Sequence, residues 1–166
     1  MNFLEPLIAE LKQEAATTRR VLERVPPDQL SWKPHPKSMS LGQLAYHVAT
    51  VPGLVGGMIA QDDFQIPSRF EQPPVQSTEG LLTALDETVR SATEMLGRLD
   101  EQRCAAVWRV MRGSDEIMAL PRAVAIRALM FNHWYHHRGQ LSVYLRELEV
   151  PVPSIYGPSA DENPFG

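Results

Sequence analysis

Four stretches of this chain space their apolar residues alternately by three and four, and none shows a sustained two-residue alternation. The first pattern belongs to helices with one buried face, the second to half-buried strands. The first stretch runs from Asn2 to Arg24, with Phe3, Leu4, Leu7, Ile8, Leu11, Ala15, Leu22 and Val25 along one side. Pro6 is tolerated in its opening turns, and Pro26 with Pro27 ends it. The second opens at Ser40, whose hydroxyl can form a capping box with Gln43, and carries Leu41, Leu44, Val48, Val51, Val55 and Met58. Pro52 cannot donate to the carbonyl of Val48, so a kink is expected there. The third begins near Ser77 or Thr78 and places Leu82, Leu85, Val89, Ala92, Leu96 and Leu99 on one face. The fourth starts at Pro121 and continues to Glu147, lined by Ile126, Met130, His133, His137, Leu141, Tyr144 and Leu148.

Helices of about 20 to 27 residues span about 30 to 40 Å. The expected fold is therefore all-α: a four-helix bundle in a single domain over 1–166, with residues 62–77 as a long crossover. The pattern lapses from Asp100 to Leu120, where Trp108 and Met111 are expected to form an irregular cover with room for short extended pairing. From about residue 149 the Pro- and Gly-rich VPVPSIYGPSADENPFG reads as an irregular tail, either loose or laid over the bundle.

With 166 residues and 43% hydrophobic content the chain can bury one core without staples. No segment has the apolar length of a membrane span, and the N-terminus MNFLEPLIAELKQE carries acids where a secretory leader would carry bases. A cytoplasmic location is the expectation, and the lone Cys104 fits a reducing compartment. The net charge of −4 and the scattered basic residues give no stripe on which a nucleic-acid backbone could lie.

Chemistry concentrates in FNHWYHHRGQL. His133 and His137, four apart, share one face of the fourth helix, and their imidazoles can hold one cation between them. His47 lies on the flank of the second helix's stripe, from where packing can bring it opposite the pair. Zinc accepts imidazole nitrogen at about 2.0–2.1 Å, and three protein ligands leave one position for water or substrate. The same spacing also suits ordinary core histidines, each satisfied by one hydrogen bond. The glutamate of an HExxH site is missing here. His136 points to the flank of the pair and is an alternative to His137 as ligand. His35, between prolines, is expected at the surface. Cys104 reads as an inert thiol, and Trp32, Trp108 and Trp134 as packing residues. Arg138 and Gln140 suit either substrate orientation or helix-surface hydrogen bonding.

Taken together, LGQLAYHV, NHWYHHRGQL and the tail VPSIYGPSADE resemble the DinB/YfiT-like superfamily over nearly the whole chain. The resemblance implies a four-helix bundle, often a homodimer, and a divalent metal, zinc or nickel, on three histidines. These correspond here to His47, His133 and His137. Some relatives are thiol-dependent transferases or isomerases in which the metal activates a low-molecular-weight thiol such as bacillithiol or mycothiol. Two readings follow. One is a metal-dependent transferase or hydrolase acting on a small molecule, with no general base assigned. The other is a non-catalytic metal-binding or structural dimer whose coordination is closed by protein atoms, Tyr156 or Asp161 of the tail among them.

Overall fold

The computed structural model describes residues 4–70, 73–75 and 77–166. Its long helices are α1 (Glu5–Leu22), α2 (Leu41–Ala60) and α3 (Thr78–Gly97), together with a final helical rod. That rod is built from α5 (Arg122–Ala125), a π-helical stretch (Ile126–Asn132) and α6 (His133–Glu147). Between α3 and the rod come a short α4 (Glu101–Ala105) and the strands β2 (Val107–Arg112) and β3 (Asp115–Pro121). Strand β1 (Asp63–Gln65) follows α2.

The ends of these helices follow local chemistry. Ser40 accepts from the Gln43 amide while the Gln43 side chain accepts from the Ser40 amide, closing the capping box that opens α2. Ser77 and Asp100 cap α3 and α4 in the simpler way. Pro121 immediately precedes the rod rather than occupying its first helical position. The expected start of α1 at Asn2, and Phe3 on its face, lie outside the described residues, as do parts of the 62–77 connection.

An all-α bundle is not what forms, because the chain also carries a three-stranded sheet of order β1-β2-β3. β1 runs parallel to β2, and β2 and β3 make an antiparallel hairpin turned at Gly113, whose φ is +62°. The strands escape the alternation test because the sheet is mostly wet. In β2 only Trp108 is fully buried, and nearly every residue of β3 is exposed. Trp108 pins the sheet to the end of α2 by donating its indole N–H to the Met58 carbonyl at 3.2 Å. Arg122, also buried, gathers the same helix end by donating to the carbonyls of Ile59 (2.9 Å) and Gln61 (3.0 Å), and to that of Arg103 (2.8 Å). Orphan carbonyls and a guanidinium at a helix C-terminus suit each other on both hydrogen-bonding and dipole grounds.

α2 is the central element, packed against α3 on one side and α6 on another. Gly53 lets α3 come close: a Cβ there would lie 2.7 Å from Thr88 Cβ and 2.8 Å from its Cα, while Thr88 donates to the Ala49 carbonyl at 2.7 Å. Pro52 sits inside α2 and is buried. Lacking an N–H, it leaves the Val48 carbonyl without its helical donor. The indole N–H of Trp134 takes that place at 2.8 Å.

The tail lies over the bundle. Val152 and Ser154 are buried, Arg20 and Arg146 pair with Glu162 and Asp161, and the Val152 amide donates to Asp161. Beneath it Arg138 pairs with Glu14 at 2.6 Å, both nearly inaccessible, and donates to the Tyr156 hydroxyl at 2.6 Å.

Trp134→Phe removes the indole donor and strands a buried carbonyl, which should cost about 1–3 kcal/mol in urea denaturation. Pro52→Ala returns a helical N–H to Val48, so the same tryptophan substitution should cost distinctly less in that background. Equal costs in the two backgrounds would contradict the exchange of donors.

Candidate metal centre

The donor exchange at Val48 brings the histidines together. His47 precedes Val48 on α2, and His133 precedes Trp134 on α6, so the bond that joins their neighbours faces the two rings toward each other. Their Nε2 atoms are 3.2 Å apart, and the ring of His137 lies 4.5 Å from that of His47 and 4.6 Å from that of His133. One nitrogen from each of the three falls within 4.8 Å of the others. A tetrahedron of metal–nitrogen bonds of about 2.0–2.1 Å has an edge of about 3.3–3.4 Å, close to the observed Nε2 separation. The donor set fits a divalent ion.

Two contacts settle which nitrogens face the centre. His133 Nδ1 lies 3.2 Å from the Leu129 carbonyl and His137 Nδ1 lies 2.9 Å from Gln140 Oε1. Both partners are acceptors, so each bond needs its proton on Nδ1 and leaves the Nε2 lone pair free for a metal. The Leu129 carbonyl is available because of the π-helical stretch. There the amide pairs with the fifth residue back, whereas the following α-helix pairs with the fourth, and a carbonyl at the junction loses its amide.

Burial, with His137 and His133 adding to it, pulls the pKa of His47 down to about 4. Burial also lowers that of His137, against a raising contribution from Gln140 and further lowering by His133 and His136. Neutral imidazole is the form that ligates a metal.

The π-helical stretch also corrects the face read from the sequence. The buried stripe of the rod runs through Ile126, Met130, Trp134, Arg138, Leu141 and Tyr144. His133 and His137 stand half-buried beside it instead of within it. Just past the widened turns Trp134 and Arg138 take the buried positions expected for His133 and His137, while Leu141 and Tyr144 stay buried as expected, and nothing in the residue pattern signals the exchange. The exchange keeps the site within reach of solvent.

The other candidates separate cleanly. His136 is exposed, with its ring 4.9 Å from that of His137, and takes no part in the cluster of three. His35 is exposed, as expected. Cys104 is buried, and burial raises its pKa, which suits an inert thiol. Arg138 turns away from the histidines toward Glu14 and Thr18 of α1. Tyr156 donates to Glu14 at 3.0 Å, and Asp161 is held by Arg146 and the Val152 amide. Both tail residues are engaged away from the histidines. Gln140 turns its side-chain oxygen to His137 rather than to another surface group.

Comparison with known proteins agrees with this architecture. The profile of the DinB family matches residues 1–163. The uncharacterized protein YjoA of Bacillus subtilis (strain 168) is 29% identical over 146 residues, covering 86% of this chain and 88% of its own. YrdA of the same strain, also uncharacterized, is 22% identical over 165 residues, covering 96% and 91%. Among solved structures, a DinB-like protein from Bacillus subtilis superimposes with a TM-score of 0.67 at 21% identity, covering 87% of this chain and 92% of that one. Another from Bacillus cereus gives 0.63 at 22% identity, covering 86% and 91%. With a full-length profile match and a shared fold, this chain belongs to the DinB family.

Proposed function

We propose that the protein is a metal-dependent enzyme of the transferase or hydrolase kind, with His47, His133 and His137 as ligands to zinc or nickel. The convergence of three imidazoles from two helices carries this reading, since three nitrogens within 4.8 Å of one another make a donor set that one divalent ion can meet. A bound divalent ion supplies Lewis acidity and lowers the pKa of a water or of a low-molecular-weight thiol. The residues of the chain do the rest. Leu129 and Gln140 hold two rings in the tautomer that offers Nε2, while Trp134 and Val48 fix the two helices in register. The half-buried setting leaves one side of the cluster approachable by a small molecule.

The rival reading, a structural staple with a closed shell, needs a fourth protein ligand. Tyr156 and Asp161 are its candidates from the sequence, and their bonds to α1, to Arg146 and to the tail backbone count against it. The reading also has the protein acting in the cytoplasm as a homodimer. Its net charge of −4 offers no footing for nucleic acid. Among the described residues, no helix is long and apolar enough to cross a membrane.

Protein purified without an affinity tag should carry close to one equivalent of zinc or nickel by elemental analysis, and the His133→Ala, His137→Ala double variant should carry almost none. Equal metal content in the two would remove the proposal. A single Gln140→Leu substitution, which leaves all three ligands in place, should weaken metal affinity by about 10–100-fold through loss of the hold on His137. Competition with a chromophoric chelator measures this, and Gln140→Glu should recover most of the loss because a carboxylate accepts the same Nδ1 proton.

A further inference from the structure

Two turns beyond His47, the same side of α2 borders an apolar groove. Leu54 lies seven residues beyond the histidine, two turns along and about 10 Å at the helical rise, and Met58 and Gln61 follow on the same side at eleven and fourteen. With Phe64 of β1 and Phe70 beyond it they line a depression of 440 Å³ that no charged residue borders. Leu54 and Phe70 are each about half exposed, at 48% and 54%, so a pair of large apolar side chains faces solvent in one place.

Gly57 forms part of this lining, and packing does not account for it. Of the three glycines in the second half of α2, Gly53 makes way for Thr88, and a Cβ on Gly56 would meet Met95 at 3.3 Å. A Cβ on Gly57 would meet nothing within 4 Å. Glycine weakens a helix relative to alanine, and here no neighbour gains from it. What it provides is depth in the groove.

From the groove's place two turns along the side of α2 that carries His47, its lack of charge and its size, which is within the range of small-molecule sites, the geometry points to a binding site for the apolar part of the substrate. That substrate is amphipathic: its polar end reaches the histidine cluster, and an acyl chain or aromatic ring lies along α2 over Gly57. This rests on the metal-centre reading above and adds the substrate class to it.

Hydroxamates test it, because they present a chelating head on a chain of chosen length. On zinc-loaded, full-length protein, decanohydroxamate should bind at least about tenfold more tightly than acetohydroxamate by titration calorimetry, since its methylenes leave water. Gly57→Leu, which fills the groove at a position open to a side chain, should reduce that ratio to below about threefold and leave acetohydroxamate affinity unchanged. Leu54→Asp, an exposed position, should do the same by placing a charge in the groove. Equal affinity of the two hydroxamates for the unmodified protein, or a chain-length ratio that both substitutions leave intact, would overturn the groove while the metal centre stands. Failure of even acetohydroxamate to bind the zinc-loaded protein would remove the metal reading and this proposal together.

Discussion

A proline inside α2 leaves one carbonyl without its helical donor, and the tryptophan that supplies the replacement joins the helices carrying the site. Pro52 cannot satisfy Val48, and Trp134 does so at 2.8 Å from within a fully buried position. An unpaired buried carbonyl costs more than a typical hydrogen bond returns, so this bond selects one axial register of α6 against α2. His47 and His133 are the immediate neighbours of the two bonded residues. Tyr144, three turns further along, donates to the Met39 carbonyl at 3.3 Å, so the helices run antiparallel and in step on both sides of the cluster.

The π-helical stretch performs a complementary task. A continuous α-helix would have carried the histidines into the buried stripe, where each would need an internal partner and none could face a ligand from outside. The widened turn displaces them to the flank and frees a carbonyl that orients one of them. The same displacement turns Arg138 inward, where Glu14 compensates its charge and the rings of Tyr135 and Tyr156 lie 5.3 and 5.0 Å from its guanidinium carbon. Register, tautomer and ion pairing thus share a single irregularity in the backbone.

The residues announce some of this and hide the rest. The three-four spacing marks the long helices, Ser40 with Gln43 marks the start of α2, and the i, i+4 histidines mark the centre, because these signals depend only on near neighbours. The hairpin falls where the lapse in pattern left room for short extended pairing, but β3 buries almost nothing, so its side chains carry no record of which face is inside. The identity of the buried face of α6 stays hidden for another reason. Residues 126–132 include Ile126, Leu129, Met130 and Phe131, which satisfy either helical register, and the choice is made by packing on α2 rather than by local preference. Arg138 next to a metal-type histidine pair invites a role in the site, and only the position of Glu14 on α1 shows that it faces the other way.

The two sides of α6 therefore differ in how their polar groups are arranged. On the α1 side, Glu14, Arg138, Thr18 and Tyr156 form a closed set, apart from the Arg138 Nε, the one buried side-chain nitrogen or oxygen without a hydrogen-bond partner among the described residues. On the α2 side, the bonds at His133 and His137 Nδ1 direct lone pairs inward, and a single proton between His47 and His133 can satisfy only one pair of three converging nitrogens. Lone pairs brought together in a partly buried place repel unless a positive charge stands among them. A cation meets all three at once, which a hydrogen-bonded cluster of neutral histidines cannot do. The face that holds the tail thus pairs its charges with one another, while the face toward α2 gathers three imidazole nitrogens at one point. The second face is the one suited to take up an ion.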